Sequence, residues 1–276
     1  MSISVPNMTI SVIVTTYNRP EALKKVLDGL LYQTRLPDEI IIADDGSGDE
    51  TKIMLQTYLK HSQIRIKHVW QNDEGFRAAR IRNMGINKSN SDYIILLDGD
   101  CIPDQYFIKD HLNLAQQGCF FQGKRVLVNQ SAEKKVDQRI CNSINKLLIL
   151  ALKKDLSNRH HIIHIPFCPS YTTSRMSGVR SCNMGFFRDD IKAVNGFNHN
   201  FKGWGREDSE LVVRLFKYGL KRKENPFKAI CYHLWHNENK KNCLEKNDKI
   251  LENTIKSESF FCKSGLNELI KSNKDI

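Results

Sequence analysis

Four short apolar runs alternate with helical segments over the first hundred residues, and this alternation constrains the fold more than any other feature. The runs are ISVIV (10–14), EIIIADD (39–45), IRIKHVW (64–70) and YIILLD (93–98). The segments between them carry apolar residues at helical spacing, and the first begins with Pro20, a residue that suits a first helical turn. Strands that alternate with helices form a mostly parallel sheet with helices on both faces. We therefore predict an α/β fold.

Polar side chains follow each of the four runs. They are, in chain order, Tyr17, Asn18, Asp44, Asp45, Arg77, Arg80, Asp98 and Asp100. Ligands of such sheets bind at the carboxyl ends of the strands. We therefore expect these side chains to converge on one rim of the sheet, although the sequence separates them.

The fourth run ends in two aspartates separated by a glycine, Asp98-Gly99-Asp100. Neighbouring carboxylates repel and raise each other's pKa unless a cation lies between them. The pair is therefore either a solvated turn or a site for a hard cation such as Mg²⁺ or Mn²⁺. Downstream, His233 and His236 form a His-x-x-H pair, and imidazole together with carboxylate favours Mn²⁺ over Mg²⁺. The alternative is that both histidines are structural.

The first three runs and the residues that follow them offer candidate nucleotide contacts. Asp44 and Asp45 are either a helix cap and turn or acceptors for a sugar hydroxyl or a base N–H. Tyr17 could offer an aromatic face to a base. Arg77 and Arg80 carry guanidinium groups suited to a diphosphate or a base carbonyl.

A tryptophan between two glycines, Gly203-Trp204-Gly205, precedes a predicted helix that opens with Glu207 and Asp208. An exposed tryptophan is costly unless it covers something, and the glycines let the loop move. The acidic pair is either a helix N-terminus that complements the helix dipole or a source of a general base for an acceptor hydroxyl.

The formal charge of +11 over 276 residues favours anionic partners such as nucleotide phosphates, nucleic acid or an acidic membrane face. A nucleic-acid-binding module is not expected, because the chain has no finger motif and no basic strand interleaved with aromatic residues.

The eight cysteines are scattered without a C-x-x-C pair, a pattern typical of reduced thiols in a cytosolic protein. The first residues do not predict a signal peptide, and no run approaches the ~20 apolar residues of a membrane span. We expect a cytoplasmic protein, with a peripheral contact at the inner face of the membrane as an option.

Residues 131–157 contain LLILALKK and predict an amphipathic helix or a helical pair with basic flanks. Such a helix either packs on the domain or lies on a membrane surface, since its apolar residues stand beside lysines.

The order of these motifs resembles that of a known enzyme family. SVIVTTYNRPEALKKVLDGLLYQT, EIIIADDGSGD, GFRAARIRNMGI and YIILLDGDCIP resemble the donor-binding half of family 2 glycosyltransferases with a GT-A fold. SCNMGFFRDDIKAVNGFNHNFKGWGREDSEL and YHLWH resemble the C-terminal part of β-1,4-galactosyltransferases and bacterial chondroitin-polymerase-like enzymes. The resemblance covers roughly residues 8 to 240 and leaves 130–175 unmatched. It departs from the galactosyltransferases at Ser209 and Glu210, where these carry a longer acidic run.

The resemblance implies a role for each matched residue. The nucleotide contacts would be Thr15, Tyr17, Asn18, Arg19, Asp44, Asp45, Arg77, Arg80, Asp98 and Gly99. The metal ligands would be Asp98, Asp100, His233 and His236, with Mn²⁺ or Mg²⁺ as the cofactor. The contacts to acceptor and donor sugar would be Gly203, Trp204, Gly205 and Glu207, and Asp208 would be the catalytic base.

The resemblance implies an inverting, metal-dependent transfer of a sugar from a UDP-sugar to a hydroxyl of a glycan or lipid-linked glycan. Synthesis of a bacterial surface polysaccharide or lipopolysaccharide is the expected setting. The alternative is a sugar-phosphate nucleotidyltransferase, but those enzymes begin with a glycine-rich loop where this chain reads TTYNRPEA. We expect a GT-A sheet in one domain, divided into a donor half (1–128), a helical insertion (129–175), an acceptor and catalytic half (176–242) and a helical tail (243–276).

Overall fold

The computed structural model describes residues 8–237 and 241–272. Its strands are β1 (Ile10–Thr16), β2 (Glu39–Asp44), β3 (Arg65–Trp70), β4 (Tyr93–Asp98), β5 (Cys101–Pro103), β6 (Cys119–Gln122), β7 (Lys124–Val128), β8 (Leu156–Ser157), β9 (Tyr171–Thr173), β10 (Asn183–Phe187), β11 (Lys221–Glu224) and β12 (Ile230–His233). Its α-helices are α1 (Pro20–Leu31), α2 (Asp49–His61), α3 (Ala78–Lys88), α4 (Phe107–Leu114), α5 (Gln130–Glu133), α6 (Gln138–Cys141), α7 (Ile144–Leu152), α8 (Arg188–Ala193), α9 (Glu207–Lys217), α10 (Leu244–Lys256) and α11 (Leu266–Ser272), and a 3₁₀ turn covers Arg159–Ile162.

The main sheet has eight strands in the order β3-β2-β1-β4-β10-β6-β11-β9. The four predicted strands β1 to β4 are parallel, with Val14 opposite both Ile42 and Leu97. β10 pairs antiparallel with β4 and with β6. The predicted α/β fold with a mostly parallel mixed sheet is confirmed.

Helices cover both faces of the main sheet. On one face α1 buries Leu23, Val26, Leu27 and Leu30, which recur at helical spacing. Each such side chain contributes about 1.5–3 kcal/mol through burial. On the other face α3 approaches β1 closely at Gly85, where a Cβ atom would lie 2.7 Å from the Ile13 side chain. A larger residue there would push α3 away from the carboxyl edge of the strands.

A second sheet has the order β5-β12-β7-β8. In it β12 runs antiparallel to β5, which places His233 directly opposite Cys101, and parallel to β7. β5 follows β4 after a two-residue turn. The second sheet therefore brings the His-x-x-H segment to the end of β4.

Residues 129–175 form three short helices, the 3₁₀ turn and two short strands. One of these strands, β9, lies at the edge of the main sheet beside β11. In the part of the chain that the structure describes, no helix has the length and apolar character needed to cross a bilayer. Each of the stretches 1–128, 129–175 and 176–242 contributes strands to both sheets. The proposed division therefore describes stretches of sequence within one folded unit.

Candidate active site

The carboxyl ends of β1 and β4, the segment before β10 and the loop before α9 surround a cavity of about 420 Å³. Twelve of the predicted site residues line it: Thr15, Tyr17, Arg19, Asp45, Asp98, Gly99, Asp100, Trp204, Glu207, Asp208, His233 and His236. Of the eight side chains expected to converge on one rim, four line this cavity: Tyr17, Asp45, Asp98 and Asp100.

Gly99 lets the turn after β4 close against β1. Its N–H donates to the Thr15 carbonyl at 2.7 Å, and a Cβ atom at Gly99 would lie 2.9 Å from that oxygen. The turn points Asp98 and Asp100 to different partners. Asp98 accepts from Arg82 at 3.1 Å, whereas Asp100 faces the histidines.

We call the group formed by Arg19, Asp100, His233 and His236 the histidine end of the cavity. The Nε2 atoms of His233 and His236 each lie 3.5 Å from an oxygen of Asp100. Burial, together with the charges of Arg125, His236 and Arg19, lowers the pKa of His233 to about 4. Its imidazole is therefore neutral at neutral pH, the form that coordinates a metal.

The histidine end fits a divalent cation by the chemistry of its donors, one carboxylate and two imidazoles. Arg19 donates to Asp100 at 2.7 Å and to the Trp235 carbonyl at 3.1 Å. Its guanidinium thus balances the negative charge of the carboxylate. A bound metal would either share the Asp100 carboxylate with Arg19 or displace Arg19 from it.

We call the group formed by Arg82, Trp204, Glu207 and Asp208 the tryptophan end. The loop before α9 has positive φ at Gly203, Gly205 and Arg206. Gly203 packs so tightly that a Cβ atom would lie 2.8 Å from Cys243, and its N–H donates to the Phe76 carbonyl at 2.9 Å. This backbone fixes Trp204, which is 39% exposed and faces the cavity.

A buried arginine organises the acids of the tryptophan end. Arg82 contacts Glu207 at 3.1 Å through Nη1 and Asp98 at 3.1 Å through Nη2. Burial and the charge of Glu207 raise the pKa of Asp208 to about 6, against the opposing charge of Arg82 and a hydrogen bond from the Ser181 backbone. Asp208 therefore titrates close to neutral pH, where a general base works best.

At the nucleotide side of the cavity, Asp45 accepts from the Arg77 backbone N–H at 2.8 Å and from the Gln71 side chain. Burial raises the pKa of Asp45 despite these donors. Tyr17, 46% exposed, donates its hydroxyl to Asp73 at 2.8 Å. An exposed ring beside a fixed carboxylate is suited to a base and its ribose.

Four predicted nucleotide residues do not line the cavity. Asp44 is buried and accepts from the Ser47 N–H at 2.8 Å and from His68 at 3.0 Å. Asn18 accepts from the Gly48 N–H at 2.9 Å. The Arg77 side chain pairs with Glu74 at 2.6 Å.

The fourth, Arg80, donates to Gln71 at 2.5 Å, and Gln71 in turn donates to Asp45. These four residues brace the loops that carry Tyr17 and Asp45. Direct contact with the nucleotide stays a prediction for them.

Comparison with known proteins identifies the family. Residues 11–172 match the family model of glycosyl transferase family 2, and residues 161–237 match that of the N-terminal domain of galactosyltransferase. The chain belongs to glycosyl transferase family 2. The enzyme class inferred from the motif order, a glycosyltransferase, is thereby confirmed.

Relatives of this family 2 glycosyltransferase include enzymes of polysaccharide synthesis. It is 27% identical to the chondroitin synthase of Pasteurella multocida (strain Pm70) over 77% of this chain and 23% of that one. It is 28% identical to the validoxylamine A glucosyltransferase of Streptomyces hygroscopicus subsp. limoneus over 76% and 48%. The chain thus spans about a quarter of the length of the first of these relatives and about half of the second.

Solved structures share the fold of this family 2 glycosyltransferase. S. aureus TarS 1–349 in complex with UDP-GlcNAc matches with a TM-score of 0.64 at 16% identity, over 90% of this chain and 66% of that one. The mannosyltransferase PcManGT of Pyrobaculum calidifontis, in complex with GDP-Man and Mn²⁺, matches with a TM-score of 0.56 at 15% identity, over 85% and 59%. The GT-A fold implied by the motifs is confirmed.

The sequence motifs missed several lining residues of this family 2 glycosyltransferase. They are Thr16, Phe76, Ala78, Arg82, Arg125, Arg180, Ser181, Cys182 and Lys241. Ser181 and Cys182 are the first two residues of the quoted segment SCNMGFF, and Arg180 directly precedes it, so the position of this segment was the available signal. Arg82 and Arg125 gave none, because an arginine in a helix or strand ordinarily reads as surface.

Proposed function

We propose that this glycosyltransferase moves a sugar from a UDP-sugar to a hydroxyl of a glycan acceptor, with inversion at the anomeric carbon and with a divalent cation. The observation that carries the proposal is that one cavity holds Asp100 with two imidazoles at one end and Asp208 at the other. These are the two functions that a single displacement needs: help for the leaving group and a base for the attacking hydroxyl.

Asp100, His233 and His236 would hold Mn²⁺, or Mg²⁺ in its place. When bound, such a cation stabilises the negative charge that develops on the leaving diphosphate. The cavity also presents the guanidinium groups of Arg125 and Arg180. These cations attract the diphosphate and hold its orientation.

The nucleoside would lie against Tyr17 and Asp45. The support for a UDP donor is the exposed Tyr17 ring beside the buried Asp45, together with a fold shared by TarS, which was solved with UDP and with UDP-GlcNAc. Trp204 and Glu207 would be among the residues whose contacts select the transferred sugar.

Asp208 would take the proton of the acceptor hydroxyl as its oxygen bonds to C1 and the bond from C1 to UDP breaks. Glu207 and Asp98 are each held by Arg82 at 3.1 Å, so neither is placed as a mobile nucleophile. A retaining enzyme needs a nucleophile as well as an acid–base group, whereas an inverting enzyme needs one base. This difference supports inversion.

The acceptor proposed is a glycan or a lipid-linked glycan of a bacterial surface polysaccharide or lipopolysaccharide. The support comes from relatives named chondroitin synthase and hyaluronan synthase. We also propose that the chain is divided into a donor half, an insertion, a catalytic half and a tail, as the sequence predicts. The proposed location is inside the cell.

A screen of nucleotide sugars tests the proposal. We expect UDP to bind more tightly with Mn²⁺ than without it in calorimetry, and one UDP-sugar to be consumed with a glycan acceptor. NMR of the product should show the opposite anomer from the donor. Formation of a nucleotide sugar from a nucleoside triphosphate and a sugar phosphate would instead establish the nucleotidyltransferase alternative.

We also propose that α7 rests on an anionic membrane surface. Ile144, Leu148 and Leu152 recur every fourth residue and are exposed, Leu152 at 82%. The lysines of α7 and its C-terminal end, Lys146, Lys153 and Lys154, are exposed beside them. Apolar side chains with flanking lysines match the chemistry of an anionic bilayer.

Co-sedimentation with liposomes tests this contact. Pelleting should require anionic lipid, decrease with salt and decrease in a Leu148→Ser/Leu152→Ser variant. Equal pelleting with neutral vesicles, or none with either, would refute it.

A further inference from the structure

Three buried thiols lie directly behind the histidine end of the cavity. Cys101 and Cys231 are fully buried, and Cys182 is 4% exposed and lines the cavity. Burial and the neighbouring thiols of Cys182 and Cys231 raise the pKa of the Cys101 thiol. The sugar-transfer mechanism uses none of the three.

Strand register explains why the sulfur atoms meet. Cys101 on β5 is the direct partner of His233 on β12, so their side chains lie on the same face of the second sheet. Cys231 precedes His233 by two residues, and the period of two along a strand places it on that face as well. Cys182 lies directly before β10, and its carbonyl accepts a hydrogen bond from the Asp98 N–H at 3.3 Å.

The ligand atoms have the spacing of a metal site. One ligand atom each of Asp100, Cys101 and His233 lies within 4.8 Å of the other two. The Cys101 sulfur lies 3.7 Å from Oδ1 of Asp100, and the His233 Nε2 lies 3.5 Å from the same oxygen. A tetrahedral zinc with bonds of ~2.0–2.3 Å separates its ligand atoms by roughly 3.5 Å. Two of the three separations already have about this length.

We propose that Asp100, Cys101 and His233 bind a thiophilic divalent cation of the zinc class. Sulfur ligands favour such cations over Mn²⁺ and Mg²⁺, which prefer oxygen. On binding, the metal replaces the proton of the Cys101 thiol, the proton passes to solvent, and no atom changes oxidation state.

The site has a consequence for the proposed reaction. A zinc-class cation on Cys101 occupies Asp100 and His233, the residues proposed to hold the cation of sugar transfer. Zn²⁺ or Cd²⁺ should therefore inhibit transfer rather than support it. This consequence rests on the proposed function, whereas metal binding itself does not.

Spectroscopy of the reduced protein, without any sugar donor, tests the site. Titration with Co²⁺ alone should produce a thiolate-to-cobalt charge-transfer band in the near ultraviolet, and Zn²⁺ should abolish the band by displacement. Cys101→Ala should remove the band and weaken Zn²⁺ binding at least ~10-fold, the scale known for losing even a second-shell partner. Cys101→Ser keeps the side-chain shape and should also lose the band.

Cys262→Ala is the matched control, because Cys262 is also buried but donates to the Ser264 carbonyl near the C-terminal helix. This variant should keep the band. A wild-type protein that binds Co²⁺ without a charge-transfer band, or a band that survives in both Cys101 variants, would overturn the proposal. These outcomes are independent of whether the protein transfers a sugar from UDP.

Discussion

The two ends of the cavity handle buried charge in opposite ways. At the histidine end a single carboxylate, Asp100, pairs with the Arg19 guanidinium and lies beside two imidazoles whose nitrogen atoms can donate to a metal. At the tryptophan end Glu207 and Asp208 stand side by side, with Arg82 as their nearby guanidinium. The first arrangement suits a ligand for a cation, and the second leaves one acid poised to take up a proton. A reaction that needs both a bound cation and a proton acceptor would therefore use opposite ends of one cavity.

Asp100→Ala gives the largest expected effect and tests the histidine end. Loss of the carboxylate removes the group between both imidazoles, so we expect no detectable sugar transfer and no Mn²⁺-dependent gain in UDP affinity. Thermal denaturation should show a folded protein. The matched control is Asp104→Asn on the same segment, because burial and the neighbouring Asp110 charge raise the pKa of Asp104 to about 8 and the wild-type group is already neutral at pH 7. Undiminished Mn²⁺-dependent UDP affinity in Asp100→Ala would remove this residue from the metal site.

Asp208→Asn tests the tryptophan end at nearly constant shape. The amide cannot take up the proton of the acceptor, so turnover should fall by about 10²-fold or more, the usual scale for loss of a general base. UDP affinity should stay near that of the wild type, in contrast with Asp100→Ala. Steady-state kinetics of the variant provides the measurement. More than a third of wild-type turnover would place the base elsewhere.

The pH dependence distinguishes the two ends without a mutation. Because Asp208 has a pKa raised to about 6, it is protonated below that value and cannot act as a base. We expect activity to fall about tenfold per pH unit below about pH 6. The pKa of His233 is lowered to about 4, so its titration would add an effect only at lower pH. The rate profile should lose its limb near pH 6 in Asp208→Asn, and an unchanged limb would assign it to another group.

Glu207→Gln gives the smallest expected effect. The amide keeps the shape of the side chain and a contact to Arg82, but it removes a charge beside the acceptor. We expect a several-fold rise in the acceptor KM with a smaller change in turnover, a pattern that indicates lost binding rather than lost chemistry. The kinetics are measured over a range of acceptor concentrations. A fall in turnover as large as that of Asp208→Asn would make Glu207 the base instead.

Much of the fold was predictable because several of its strands and helices have clear local sequence patterns. β1, β2 and β4 are continuous apolar runs bounded by polar residues, and the helices between them have regular spacing. The second sheet and the order of β10, β6 and β11 were not predicted. These strands have two to five residues, and distant pairing rather than their own sequence decides their neighbours.

The same distinction applies to the site. Asp98, Asp100 and the two histidines were predictable because they end strands or follow a recognisable spacing. Arg82 was not, since an arginine in the middle of α3 resembles any exposed basic residue, and its burial depends on Glu207, more than a hundred residues later. Asp44 shows the reverse case. It ends β2 directly before Asp45, but the alternation of side chains along a strand turns its carboxylate away from the cavity, toward Ser47 and His68.

The strand order of the main sheet carries a consequence for how the chain acquires its shape. β4 pairs with β10, which comes roughly 90 residues later, and β6 pairs with β11 roughly 100 residues later. Closing loops of this length costs entropy before any contact rewards it, and such pairings slow folding. β1 to β4 can associate early through short crossovers, but Arg82 acquires its second acidic partner, Glu207, only after the later strands have docked. A nascent chain that stops before β10 would therefore expose the edge of β4 to solvent and to other chains.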